Sequence, residues 1–228
     1  MKIVNHEQGS EIWHSWRNQG IGASEAPMIL GISTYKTAHK LWQEKTGEIE
    51  IKNENNFVFE KGHKIEAQGR AHFELMNDKE CPPACMEMDE YPFIRASLDG
   101  YNALENFVLE IKYVGKDAMG EVITPHHYAQ VQHQMMVSGA KDMLFIRSND
   151  GVVFKSEIVV RDEPYIKDLL EKELAFWKMV QDKVEPPIPE KKPRKKRVGL
   201  SKRENGNEQK GFDRIRNRKS TKATKKDR

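Results

Sequence analysis

YPFIRASLDGYNALENFVLEIK, residues 91–112, carries two runs of strand-favouring residues, Tyr91–Ala96 and Phe107–Lys112, around a polar turn. Asp99 follows the first run and precedes Gly100, where the backbone can turn. Glu110 and Lys112 are two residues apart, so on a strand both project to one side while Phe107, Leu109 and Ile111 face a core. Two carboxylates and an ammonium on a rigid sheet suit a hard divalent cation with an activated water beside it. The same residues also suit a solvated sheet face with a cross-strand ion pair.

Upstream, Phe57–Met76 has helical periodicity. Gly62, Glu66, Gly69 and Phe73 share one face, with Ile65 adjacent. Glu66 on such a close-packing stripe is either functional or salt-bridged. Downstream, TPHHYAQVQHQMMVSG, residues 124–139, opens on a Thr cap and Pro and closes on Gly, which predicts a helix with His127, Gln130, Val131 and Gln134 on one face. His126, His127 and His133 are spaced wrongly to surround one zinc ion; capping, surface and polar ligand contacts fit them better.

The chain has 228 residues, 37% hydrophobic and 32% charged, which suits a soluble α/β protein with a charged extension. No stretch approaches the roughly 20 apolar residues of a membrane span, and the first residues lack the apolar core of an export signal. The reading is therefore cytoplasmic. Cys81 and Cys85 in CPPAC form one CxxxC pair without a second, too few ligands for a zinc or iron–sulfur site. They read as two reduced thiols in a Pro-rigid surface loop. The net charge of +3 hides a division: residues 190–228 hold 17 Lys and Arg against 5 Asp and Glu, and residues 1–189 hold 21 against 30. The expected organisation is a folded unit over 1–185 and a basic, disordered arm over 186–228. The PRKKR run in the arm also has the composition of a nuclear-import signal. Non-specific DNA affinity is the plainer reading.

Other elements follow from their caps. Ser10 starts a helix over Glu11–Arg17. Ser24 starts a short helix with Glu25 in its first turn and Gly31 at its close, leaving backbone N–H groups free for a phosphate. Thr37 caps a helix that ends at Gly47 and buries Leu41 and Trp42. Met143–Arg147 and Val152–Val160 flank the turn at Ser148–Gly151, and Asp162 caps a last amphipathic helix, Glu163–Lys183.

With these residues in hand, the chain resembles the phage-type exonuclease family of lambda exonuclease and its YqaJ-like relatives, a branch of the PD-(D/E)xK nucleases. The resemblance runs over about residues 12–183, through WHSWR, GIGASEAPMILGIS, LWQEKTG, the Glu66 helix, SLDGY, LEIK, YAQVQHQM and RDE. It implies a restriction-endonuclease-like α/β core, a central mixed β-sheet flanked by helices. It further implies that Asp99, Glu110 and the Ile111 carbonyl bind Mg²⁺, with Mn²⁺ as the alternative. Glu66 would help with a second ion, and Lys112 would orient or deprotonate the attacking water. Arg17, Ser24, Ser97 and Gln130 match positions that hold DNA phosphates, notably a terminal 5′ phosphate. Leu98 stands where the superfamily motif has Pro.

The implied activity is Mg²⁺-dependent 5′→3′ degradation of one strand from double-stranded DNA ends. The resulting 3′ overhang would go to a phage-type single-strand annealing protein, and the enzyme would be a ring-shaped homotrimer in a bacterial host. Rival readings are an endonuclease or single-strand exonuclease on the same core, and a non-catalytic DNA-binding partner protein. The iron–sulfur nucleases of the superfamily are disfavoured by the cysteine count.

Overall fold

The chain changes sheets at Asp99. Before it, β4 (Ile94–Leu98) belongs to a four-stranded sheet with β1 (Lys2–Val4), β2 (Ile21–Gly22) and β3 (Ala84–Glu87), in the order β1-β3-β4-β2. After it, β5 (Gly100–Asn102) opens a second sheet with β6 (Phe107–Tyr113), β7 (Asp142–Ser148) and β8 (Phe154–Val160), in the order β5-β6-β7-β8. These elements come from a computed structural model that describes residues 1–50, 57–120 and 123–188. The basic tail from residue 189 onward, PRKKR included, lies outside the described residues.

The mixed β-structure flanked by helices is as expected and is divided into two sheets, but the two strand-favouring runs, Tyr91–Ala96 and Phe107–Lys112, do not pair directly. β6 pairs antiparallel with the three residues of β5, Gly100 opposite Leu109, while β4 pairs with β3 and β2. The cause lies at Gly100. A Cβ there would come within 2.8 Å of the Cys81 carbonyl oxygen, so only Gly lets the chain pass this close and bend. Tyr101 N–H then donates to the Pro82 carbonyl at 2.8 Å, which fixes the bend.

On its other edge β6 runs parallel to β7, with Glu110 opposite Phe145 and Lys112 opposite Arg147. A parallel pair needs a crossover, and α5 (Pro125–Ser138) is a large part of it. α5 packs Val131, Met135 and Met136 into the main core with Val108, Phe145, Ile166 and Phe176. The opposite face of β6 carries Leu109 and Ile111 beneath α4 (Phe57–Asn77), which contributes Ile65 and Phe73. At Gly69 a Cβ would sit 2.9 Å from Ile111 Cγ2, so this glycine sets how closely α4 rides on β6. β6 is therefore covered on both faces, and its charged residues stand at a buried seam rather than on a solvated face.

The helix caps follow the sequence closely. Ser10, Thr37, Thr124 and Asp162 each accept a backbone N–H three residues on, at the starts of α1 (Glu11–Asn18), α3 (Ala38–Thr46), α5 and α6 (Glu163–Asp182). Gly47 and Gly139 close α3 and α5 in the left-handed conformation. Ser24 is not a cap. It lies inside a 3-10 turn, Ala23–Glu25, that starts from Gly22 and leads into the four-residue α2 (Ala26–Ile29). Glu25 accepts the Gly22 N–H at 3.0 Å, so that amide is not free for a phosphate.

The two cysteines are not surface residues. Cys81 packs beneath α4, and Cys85 packs with Trp13 and Trp16. Burial pushes the Cys81 thiol up to about 11 and also raises Cys85, which disfavours the thiolates a metal site needs. His133 is likewise internal, with Nδ1 2.7 Å from Glu173 Oε1 and Nε2 2.9 Å from the Arg95 carbonyl. Among the described residues no helix is long and apolar enough to cross a membrane.

Candidate active site

Asp99 is locked to β6 from the sheet corner. Its Oδ2 accepts the Ile111 N–H at 2.8 Å, and its own carbonyl accepts from Arg70 of α4 at 3.0 Å. Glu110 projects from β6 toward α5 and is 1% exposed. Gln130 Nε2 donates to Glu110 Oε1 at 2.7 Å and Gln134 Nε2 donates to Oε2 at 2.5 Å. Lys112 brings its Nζ to 2.5 Å from the same Oε1. A carboxylate has about four lone-pair positions, so three are engaged and roughly one remains for a ligand.

Electrostatics draws Glu66 into the group. Burial raises the Glu66 carboxyl above its usual range; Glu110 adds to the shift and Lys112 opposes it. Burial also raises Asp99 well above the ordinary Asp range, reinforced by Glu110 and Glu66. For Lys112 burial works the other way, but Glu110 and Asp99 outweigh it and hold the ammonium above the usual lysine range. The sequence-predicted residues Glu66, Asp99, Glu110 and Lys112 thus form one electrostatic unit. Three carboxylates beside the Lys112 ammonium and the Arg70 guanidinium still leave an excess of negative charge, which a divalent cation would neutralise.

The donor set fits such an ion. It is all oxygen, as Mg²⁺ and Mn²⁺ prefer, with no thiol in the group. Among the described residues no three His, Cys, Asp or Glu side chains stand close enough together to hold a metal ion as they are placed. The Lys112 ammonium lies against Glu110 instead.

Arg17, Ser24 and Ser97 form a second group around Trp13. The Arg17 guanidinium donates to Ser24 Oγ and stacks over the Trp13 ring at 5.1 Å. Trp13 Nε1 donates to Ser97 Oγ at 2.8 Å. Gln130, expected with these three, instead supports Glu110. Gln134 spans the two groups, since its Nε2 also reaches the Ser97 carbonyl at 3.4 Å.

Sequence reading left Gln134 out of the site, although its position four residues after Gln130 on one helix face was the available signal. It also left out Lys45 and Glu25, which pair at 2.9 Å. His127 stands beside the site as a neutral imidazole. Burial lowers it to about 4, and Lys112 adds to the shift.

Known proteins of this architecture include the alkaline exonuclease LHK-Exo from Laribacter hongkongensis. It superposes with a TM-score of 0.67 at 18% identity, over 77% of this chain and 94% of that one. The same enzyme in complex with dAMP gives a TM-score of 0.65 at 20% identity, again over 77% and 94%. A phage-related exonuclease from Haemophilus somnus 129PT gives 0.54 at 14% identity, over 72% and 95%. At these identities the likeness establishes the fold.

In sequence, the chain is 30% identical over 181 residues to protein YqaJ of Bacillus subtilis (strain 168), covering 76% of this chain. It spans 57% of that relative's length. Residues 12–141, which include Arg17, Glu66, Asp99, Glu110 and Lys112, match the YqaJ-like viral recombinase domain. The chain belongs to the YqaJ-like viral recombinase family.

Proposed function

We propose that this protein is a divalent-ion-dependent exonuclease that degrades one strand of linear double-stranded DNA in the 5′→3′ direction. The observation that carries the reading is the convergence of Asp99, Glu110, Lys112 and Glu66 where β6 meets the sheet corner. Phosphodiester hydrolysis needs a water nucleophile, neutralised phosphate oxygens and a stabilised leaving oxygen.

Mg²⁺ held by Asp99, Glu110, Glu66 and the Ile111 carbonyl would supply the Lewis acidity that neutralises the phosphate and acidifies the water. Lys112 orients that water and stabilises the negative charge that develops as the phosphate is attacked. Gln130 and Gln134 keep Glu110 in place while the substrate comes and goes, because they donate to both of its oxygens. Arg17 is suited to the end of the strand. Its guanidinium stacks on Trp13 and donates to a neutral hydroxyl, and among the described residues no carboxylate pairs with it. Such a cation is available to a 5′-terminal phosphate, with Ser24 and Ser97 beside it.

The same reading makes residues 1–185 the catalytic unit and the basic arm an aid to DNA affinity. The overhang left behind is a substrate for an annealing protein in recombination. A ring-shaped homotrimer around the duplex, in the cytoplasm of a phage-infected bacterium, completes the proposal.

The test is hydrolysis of a linear duplex with and without 5′ phosphates, beside a covalently closed circle, in Mg²⁺, in Mn²⁺ and in chelator. Degradation of the linear duplex alone, faster with the phosphate and absent in chelator, is the expected result. Cutting of the circle would replace this reading with an endonuclease. DNA binding without hydrolysis in either metal would replace it with a binding protein.

A further inference from the structure

The EKTG segment, residues 44–47, is part of the sequence signature but has no place in the chemistry described so far. Three of its four residues have local explanations. Glu44 pairs with Lys36 at 2.5 Å, Thr46 Oγ1 donates to the Trp42 carbonyl at 2.9 Å, and Gly47 closes α3 at a φ of 78°. Lys45 does not serve α3. Its side chain is 2% exposed, and its Nζ lies 2.9 Å from Glu25 Oε1 and donates to the Arg17 carbonyl at 3.2 Å.

Lys45 therefore joins two segments that carry the phosphate-facing side chains. Arg17 is in the last turn of α1, and Ser24 is next to Glu25 in the 3-10 turn. Glu25 completes the tie by accepting the Gly22 N–H, and a Cβ on Gly22 would lie 3.4 Å from Arg17 Nε. One buried ammonium thus ties the backbone of the Arg17 turn to the Glu25 side chain, next to Ser24.

The charges point the same way. Lys36 pairs with Glu44 and Lys45 with Glu25, while Arg17 pairs with no carboxylate among the described residues, which leaves one positive charge over. Burying Lys45 beside Arg17 is electrostatically unfavourable, and the local energy falls when an anion joins them.

We propose that Lys45 is the positioning residue of a subsite for a terminal phosphate, holding Arg17 and Ser24 at the spacing one phosphate group requires. The inference rests on the reading of Arg17 and Ser24 as the end contact. It adds that recognition of the end depends on a residue that touches no substrate.

The probe is binding of a short duplex with a 5′ phosphate and of the same duplex with a 5′ hydroxyl. The full chain is used, with Ca²⁺ in place of Mg²⁺, and hydrolysis is measured separately. Lys45→Met is paired with Lys45→Met/Glu25→Gln, which removes the buried pair together and so avoids an unpartnered carboxylate. The wild type is expected to favour the phosphate by about tenfold or more, and both variants to bring the ratio near one while 5′-hydroxyl binding holds. Thermal melting gives an independent check. The double variant regains stability relative to the single one without regaining phosphate preference.

A merely structural lysine would let preference return with stability in the double variant, and that result overturns the inference. So does a wild type that binds both duplexes alike. A Lys45-dependent phosphate preference in a protein that hydrolyses no DNA would uphold the inference while removing the exonuclease reading.

Discussion

Gln134 donates to Glu110 Oε2 at 2.5 Å, from inside a helix that the hydrophobic pattern alone would treat as core. Every residue of α5 from Ala129 to Ser138 is buried, and five of them are polar: Gln130, Gln132, His133, Gln134 and Ser138. The helix works as a polar clamp inside an apolar setting. Burying Glu110 is tolerable because amide donors sit on both of its oxygens.

The first prediction concerns that clamp. Gln134→Leu keeps the side-chain volume but strips a charge-assisted donor from a fully buried carboxylate. Unfolding in urea should then show a loss of about 1–3 kcal/mol, with hydrolysis slowed as well. Unchanged stability would mean that Glu110 does not rely on Gln134.

What the sequence made legible here, and what it did not, divides along physical lines. Caps were readable because Ser10, Thr37, Thr124 and Asp162 act within three residues of themselves. The grouping of Asp99 with Glu110 was legible in the two strand-favouring runs and again in the resemblance, but the runs do not pair directly, because the steric limit at Gly100 belongs to Cys81, nineteen residues upstream. The polar partners were hidden for the same reason. Glu173 lies forty residues from His133, and Lys45 twenty-eight from Arg17, so no local pattern announces either contact.

Gly69 gives a steric prediction. An added methyl would meet Ile111 Cγ2 at 2.9 Å, and Ile111 is fully buried, so it has little room to yield. Gly69→Ala should cost about 1–3 kcal/mol and lift α4, with Glu66, away from the site. Differential scanning calorimetry reads the stability, and the divalent-ion concentration for half-maximal hydrolysis should rise in parallel.

Removing or adding the ion should change the melting temperature. An ion that binds only the folded chain stabilises it by about 2.7 kcal/mol at a hundred times its dissociation constant. Mg²⁺ or Mn²⁺ should therefore raise the melting point of the wild type relative to chelator. Asp99→Ala should lose most of that rise. An equal rise in the variant would place the ion elsewhere.

The His133–Glu173 pair yields a pH dependence. The Arg95 carbonyl can only accept, so His133 Nε2 carries a proton, and one further proton is shared between Nδ1 and Glu173. Burial alone would lower His133, but Glu173 and the Arg95 carbonyl outweigh it and raise it; burial raises Glu173, with His133 opposing. A folded value above the unfolded one, about 6.5, means that the stabilisation is complete below that pH. It is lost as pH rises through the raised value. Melting curves at constant Mg²⁺ should fall on the alkaline side, and His133→Gln should flatten that fall. Parallel curves for wild type and variant would contradict it.

The most direct test of the catalytic centre is single-turnover hydrolysis of a 5′-phosphorylated linear duplex by Asp99→Ala and Lys112→Met, with DNA binding measured on the same preparations. The account predicts that each substitution slows the chemical step by roughly 10²–10⁴-fold while the duplex is still bound. Near-wild-type hydrolysis by either variant would contradict it.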